Sequence, residues 1–177
     1  MTGCAIVTGS SSGIGRAIAR RLAAVGFPVL LADIRRDPLT GGAPTDEEIR
    51  AEGGRCEFAR TDVSSRAECE QLVARAVGSY SRLDVLVNNA VLAGEHSKPL
   101  LGTLDADWDA MMAVNLRGPF MLCQAAVQAF IRSVVPLLAA GRALPEIDRV
   151  FPAKEATTAF DYLVKPGKSG KVLLDFG

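Results

Sequence analysis

Thr8-Gly9-Ser10-Ser11-Ser12-Gly13-Ile14-Gly15 stands between an apolar run, residues 4–7, and a helical pattern over residues 14–25. The order reads as a strand, a glycine turn and a helix. Glycine suits a backbone that must take positive φ or come within contact distance of a ligand, because a Cβ obstructs both. Here three glycines fall within seven residues. The first turn of the following helix carries unpaired N–H groups and the positive end of the helix dipole, a combination that receives a pyrophosphate. A dinucleotide fits such a turn.

The context supports that reading. The helix closes at Gly26, Phe27 and Pro28 lead out, and a second apolar run over residues 29–32 ends at Asp33. That acid comes eighteen residues after Gly15, near where a βαβ dinucleotide unit places the carboxylate that accepts the adenosine ribose hydroxyls. The order Thr-Gly-x-x-x-Gly-x-Gly also resembles the fingerprint of the short-chain dehydrogenase/reductase family. That resemblance implies a cofactor site made of Gly9, Ser11, Ser12, Gly13, Ile14 and Gly15 at the turn, with Asp33 and Ile34 at the adenosine end.

A chain of 177 residues is long enough for one domain with a buried core and short for two. The reading is a single dinucleotide-binding domain over 1–177. Acids and bases balance at twenty each, and no basic stripe with interleaved aromatics marks a nucleic-acid surface. No uninterrupted apolar stretch approaches membrane-spanning length, and the first strand starts almost at once. The expectation is therefore a soluble cytoplasmic protein without a membrane partner. Cys4, Cys56, Cys69 and Cys123 show no C-x-x-C pairing and are expected reduced. The only histidine, His96, sits in a polar stretch and is read as a solvated loop residue, so no metal is expected.

Residues 34–55 turn to Arg, Asp, Pro and Gly, with Thr45 and Glu48 spaced as a capping box for a short helix. This connection starts beside the proposed ribose site, where Arg35 and Arg36 could in principle meet a 2′-phosphate. The Asp33 carboxylate would repel that phosphate, and the turn holds only serines between Gly9 and Gly13, so NAD is favoured over NADP.

Residues 57–61 read as a third strand, closed by Asp62 and Val63, and Ser65 with Glu68 forms another capping box. Cys69, Leu72, Val73, Ala76, Val77 and Tyr80 then recur at helical spacing as one buried face, which makes Tyr80 a core or rim residue. Residues 84–87 form the next strand, apolar at Val85, Leu86 and Val87 as a parallel strand covered on both faces should be. It ends in Asn88-Asn89-Ala90, which resembles the Asn-Asn-Ala-Gly segment of short-chain dehydrogenases, with Val91 in place of the glycine. By the same resemblance Asn89 and Ala90 line the cofactor cleft, Asp62 and Val63 meet the adenine, and Asp107-Trp108-Asp109 through Val114-Asn115-Leu116-Arg117-Gly118 belongs to a long central helix. Asn115 is then the asparagine that anchors a proton-relay water; the other reading is a structural hydrogen bond within the helix. The family commonly pairs through this helix, and residues 111–131 are apolar on most sides, so a homodimer is expected.

The resemblance runs to about Gln128 and then breaks. The family's chemistry uses a Ser, a Tyr about a dozen residues later and a Lys four residues after that Tyr, where one helical turn sets the ammonium beside the phenol. Asp84 follows Tyr80 at that spacing and Pro166 follows Tyr162. Tyr162 and Lys165, three apart, are the remaining candidates for a catalytic pair.

From about Phe130 the sequence resembles another family, the C-terminal tail of medium-chain dehydrogenases and quinone reductases. The resemblance is carried by Ile131-Arg132-Ser133-Val134-Val135-Pro136-Leu137-Leu138, by Ile147-Asp148-Arg149-Val150-Phe151-Pro152 and by Gly170-Lys171-Val172-Leu173-Leu174. The chain reads as a fusion joined inside one helix near residues 128–131, with Pro136 kinking or restarting that helix before Gly141 caps it. Residues 129–177 either complete the sheet with a β-α-β unit or attach as an appendage. The expected fold class is α/β, a Rossmann-type doubly wound parallel sheet in three layers (α/β/α) with an atypical C-terminal β-α-β tail. Two functions follow: an NAD-dependent oxidoreductase moving hydride between nicotinamide and a small alcohol or ketone, impaired by the missing Ser, Tyr and Lys, or else a non-catalytic NAD-binding module or a truncated or chimeric product. A structural or oligomerising protein is the third class.

Overall fold

The structure, a computed structural model, describes residues 3–93, 100–142, 146–166 and 171–177. It divides into two compact units, Met1–Ser133 and Val134–Gly177.

In the first unit β1 (Cys4–Thr8), β2 (Val29–Asp33), β3 (Cys56–Arg60) and β4 (Leu83–Val87) form one parallel sheet in the order β3-β2-β1-β4. The inner position of β1 shows in its burial: Cys4, Ala5, Ile6 and Val7 are fully covered. Side chains alternate across a strand, and neighbours in sequence accordingly enter different cores. Ile6 and Leu30 pack with Val63, Cys69, Leu72, Val73, Met121 and Leu122 on one face. Val7 and Leu31 pack with Ala19, Ala23, Val29 and Ile49 on the other. This is the expected three-layer arrangement, and burying each Ile, Leu or Val side chain stabilises it by about 1.5–3 kcal/mol.

Helix α1 (Gly13–Ala24) turns Gly15, Ala19 and Ala23 inward at four-residue spacing, a stripe small enough to lie close to the sheet. Helix α2 (Thr45–Ala51) is where expected, but Pro44 rather than Thr45 occupies the N-cap. The Thr45 hydroxyl donates instead to the Ser10 carbonyl at 2.9 Å, so a tertiary partner replaces the local cap. Helix α3 (Arg66–Tyr80) buries Cys69, Leu72, Val73 and Ala76, as the periodicity requires. Ser65 Oγ accepts from the Glu68 N–H at 3.4 Å, while Glu68 Oε2 accepts from Asp62 N–H at 2.8 Å, so the reciprocal half of that capping box closes on a neighbouring residue. Strand β4 departs from expectation. Its Val85, Leu86 and Val87 are half-buried and Asp84 is exposed, because β4 lies at the sheet edge rather than between two strands.

After a 3₁₀ turn, Leu100–Gly102, helix α4 (Asp105–Met112) passes through a π-helical turn, Ala113–Arg117, into α5 (Gly118–Ala139). Pro136 does not restart the helix: it lies inside α5, which continues to Ala139. Gly141, at φ +65°, then ends it through Gly141 N–H to Leu138 O at 3.0 Å and Arg142 N–H to Leu137 O at 2.8 Å, a Schellman closure. The helical stretch Asp105–Ala139, though interrupted by polar residues, is long and apolar enough to cross a membrane by length and composition alone. One face has another explanation, since Met121, Leu122 and Ala125 are buried in the first unit's core. The rest stays open: Phe120, Val127, Phe130 and Ile131 are each half or more exposed.

In the second unit β5 (Ile147–Pro152) and β6 (Lys171–Asp175) pair in parallel as their own two-stranded sheet, joined through α6 (Ala156–Leu163). The expected apolar face of α6 is only partly used: Ala159 is buried, whereas Phe160, Leu163 and Val164 are exposed. The helix turns Tyr162, one turn beyond Ala159, toward Phe151, with ring centroids 5.6 Å apart.

Candidate functional site

The three glycines of the turn do different work. Gly9 takes φ +63°, and a Cβ there would lie 2.8 Å from Asn89 Nδ2 and 2.9 Å from Ala90 Cα. At Gly15 a Cβ would collide with the Gly9 carbonyl and the Asn89 amide. These two glycines close the back of the turn, where helix start and strand end touch. Gly13, at φ +54°, has no described residue within 4 Å of its Cβ position, which leaves the front open.

That opening faces an uncapped helix start. Among the described residues no side chain caps α1, and its first turn holds no acid. The N-cap residue Ser12 directs its Oγ elsewhere, accepting from Leu39 N–H at 2.7 Å. The first-turn amides and the helix dipole therefore present a positive end that no described side chain neutralises. Ile14, on the same turn, is 73% exposed.

Asp33 meets the turn directly. Its Oδ2 accepts from Ser11 N–H at 3.0 Å and its Oδ1 from Arg35 N–H at 3.3 Å. A carboxylate offers about four acceptor positions, so these two bonds leave capacity for hydroxyls. Ser11 Oγ donates to Arg35 O at 2.6 Å, and Thr45 fastens α2 to Ser10. The turn is thus stitched to the end of β2 and to the 34–45 connection, with Ile34 exposed beside them.

Asn89 holds the far side. Its Nδ2 donates to Thr8 O at 2.9 Å and Gly9 O at 3.2 Å, and Ala90 N–H donates to Thr8 Oγ1 at 3.0 Å. After β3, Asp62 Oδ1 accepts from Ser64 N–H at 2.9 Å and Ser64 Oγ at 2.7 Å, which shapes the loop. Val63 is buried beneath Gly118, where a Cβ would meet Val63 O at 2.9 Å. Asn115 lies in the π-helical turn, and its side chain is engaged at both ends with Leu92: Nδ2 donates to Leu92 O at 3.0 Å and Oδ1 accepts from Leu92 N–H at 2.8 Å.

Tyr162 and Lys165 belong to the second unit. The Arg149 guanidinium carbon sits 4.6 Å from the Tyr162 ring centroid, and Lys165 N–H donates to Tyr162 O at 3.3 Å. Tyr80 is half-buried, and burial first, then Glu57, pushes its phenol up. Among the described residues no three His, Cys, Asp or Glu side chains converge as a metal site; His96 lies outside them.

Several supporting contacts escaped the sequence reading: those of Leu39 and Ser64, the bond from Thr45, read as a local cap, to the Ser10 carbonyl and, above all, Asp46. Asp46 is 3% exposed and grips Arg36 and Arg50. Burial alone would raise its carboxyl, but hydrogen bonds from Arg36 and Arg50 outweigh burial and hold it below the ordinary carboxylate range. Its place four residues before Arg50 was a visible signal; its pairing with Arg36 was not.

The short chain dehydrogenase family is matched over residues 3–135. The short-chain dehydrogenase/reductase eriH of Hericium erinaceus is 41% identical over 120 residues, 67% of this chain and 47% of that protein. A diacetyl reductase [(S)-acetoin forming] of Staphylococcus epidermidis is 36% identical over 132 residues, 75% of this chain and 49% of that protein. The chain thus spans about half the length of these relatives. Among solved structures, a metagenomic short-chain oxidoreductase in complex with NADP is 38% identical with a TM-score of 0.64, covering 74% of this chain and 57% of that one. The 3-oxoacyl-[acyl-carrier protein] reductase of Brucella melitensis in complex with NAD is 29% identical with a TM-score of 0.65, covering 88% of this chain and 58% of that one.

Proposed function

We propose that this chain, which belongs to the short chain dehydrogenase family, binds NAD at the Gly9–Gly15 turn and by itself carries out little hydride transfer. The observation that carries the reading is the shape of the turn: sealed behind by Gly9, Gly15 and Asn89, open in front at Gly13, with the uncapped start of α1 beneath. A cradle that a Cβ would fill and a positive helix end suit a pyrophosphate, so the residues present fit a dinucleotide. Asp33 would accept from the adenosine ribose hydroxyls, Asp62 and Val63 after β3 would meet the adenine, and Ala90 after β4 would line the opposite side of the cleft. The preference for NAD over NADP rests on Asp33, whose charge opposes a 2′-phosphate.

Nicotinamide, when bound, supplies hydride chemistry between an alcohol and a ketone. This chain's own residues would bind and orient it through the turn, with Asn89 fixing the strand end against which the turn closes. For proton transfer the chain offers less. No tyrosine here is followed four residues later by lysine, and the Tyr162 ring packs on Phe151 and Arg149. Positioned acid–base catalysis contributes about 10²- to 10⁴-fold, so turnover without it should be slight. The non-catalytic NAD-binding module is the reading this favours. A foreign origin for the tail remains part of the proposal, supported by a family match that ends at residue 135 and a separate β-α-β unit over Val134–Gly177.

The test is a titration of the purified chain with NADH, with NADH oxidation followed in the same sample against a panel of small ketones. Saturable binding with little turnover is the expected result. Absence of binding would overturn the reading, and rapid turnover abolished in Tyr162→Phe would overturn its catalytic half.

A further inference from the structure

Two arginines follow Asp33 at the adenosine end of the turn, and the structure treats them differently. Arg35 engages through its backbone, accepting from Ser11 Oγ and donating to Asp33. Arg36 is held by its guanidinium: Nε donates to Asp46 Oδ1 at 3.1 Å, one terminal nitrogen donates to Asp46 Oδ2 at 2.8 Å, and the same nitrogen reaches Glu47 Oε1 at 2.9 Å. A fork-to-fork pair of this kind fixes direction as well as distance, and is stronger than a single-point contact. Asp46 is itself immobilised. It is 3% exposed, takes a second guanidinium from Arg50 at 2.6 Å, and stands in the first turn of a helix that Thr45 fastens to the glycine turn.

We propose that Asp46 is a positioning residue for nucleotide specificity: by gripping Arg36 on α2 it withholds the cation that a 2′-phosphate would otherwise recruit, and so keeps the adenosine end selective for NAD. The inference rests on the reading of the turn as a dinucleotide site. The neighbouring contacts show why this cation matters. Ser11 Oγ pins Arg35 and Ser12 Oγ pins Leu39, so the segment carrying Arg36 is tied to the turn on both sides. A guanidinium released there would sit within three residues of Asp33, and guanidinium is the side chain best matched to a phosphate. Glu47 adds a second anion on the side to which Arg36 is drawn.

The experiment measures NADH and NADPH affinities separately for the full chain as wild type, Arg36→Gln, Asp46→Asn and the double variant, with circular dichroism as a check on folding. The wild type should bind NADH more tightly. Arg36→Gln should change neither affinity by more than about twofold, because the cation is already withheld. Asp46→Asn should tighten NADPH by about tenfold, the scale of one added charge-assisted hydrogen bond, and the double variant should lose that gain. A selective loss of NADPH affinity in Arg36→Gln would overturn the proposal, as would a folded Asp46→Asn with unchanged NADPH affinity. Should Asp46→Asn fail to fold, Arg36→Gln alone decides. Wild type that prefers NADPH overturns the grip but leaves the dinucleotide site, whereas wild type that binds neither overturns both.

Discussion

Asn89 and Thr8 are tied to each other twice: the Asn89 backbone N–H donates to Thr8 Oγ1 at 3.0 Å, and Asn89 Nδ2 donates to the Thr8 carbonyl at 2.9 Å. Thr8 Oγ1 also receives Ala90 N–H at 3.0 Å and donates to Val87 O at 3.2 Å, so one buried hydroxyl joins the ends of two strands. Thr8→Val keeps the shape and removes the oxygen. Each backbone group left unsatisfied costs about 1–3 kcal/mol, so thermal denaturation should show a fall of that order or more. NADH affinity should fall with it, since Asn89 also supports Gly9.

The glycines of the turn should respond in opposite ways to alanine. Gly15→Ala drives a Cβ into the Gly9 carbonyl, which is backbone and cannot swing aside, so a large loss of stability and of NADH binding is expected. Gly13→Ala meets none of the described residues and carries the strain of φ +54°, about 1–2 kcal/mol. Equal effects in thermal melts of the two variants would contradict the described packing.

Burial pushes the thiols of Cys4 and Cys69 up to about 11, and that of Cys56 upward as well. Cys123 is exposed. A thiol-reactive probe near pH 8 should therefore label Cys123 first in the native protein, and all four cysteines only after denaturation. Mass spectrometry of the labelled peptides reads the order.

Asp46 predicts the behaviour in acid. Its folded-state carboxyl lies below the ordinary value, so the stability it contributes is complete above about pH 4–5 and is lost as pH falls through the folded value. Arg50→Gln removes one of the two cations that depress it. That variant should be less stable at neutral pH, and should lose less on going from pH 5 to pH 3 than the wild type does. Denaturant titrations at the two pH values measure the difference.

The exposed side of the α4–α5 helix is the proposed pairing face. Met112, Leu116, Arg117 and Phe120 line an open groove there, beside Asp109 and Ala113. Light scattering should give about twice the mass of one chain, and Phe120→Glu should halve it. A monomer at micromolar concentration in the wild type would exclude pairing through this face.

Much of the first unit was legible because its signals are local. Apolar runs of four residues marked β1 and β2, and helical spacing on α3 marked the face that is buried. Where a residue's role depends on a partner far along the chain, the reading failed or stayed incomplete. Thr45 resembles an N-cap until Ser10, 35 residues away, takes its hydroxyl. Val85 to Val87 look like a covered strand until the strand order puts β4 at an edge. Pro136 reads as a kink or a restart, and α5 continues through it to Ala139 without restarting.

The amino-acid order by itself determined that a strand, a glycine turn and a helix come in sequence with an acid at the end of the next strand, because glycine conformations and hydrophobic periodicity act over a few residues. Tertiary structure alone decided which glycine stays open, how Asp33 is shared with Ser11, and that Arg36 belongs to Asp46. Those are matters of distance between side chains that the sequence separates and only the packed sheet and helices bring together.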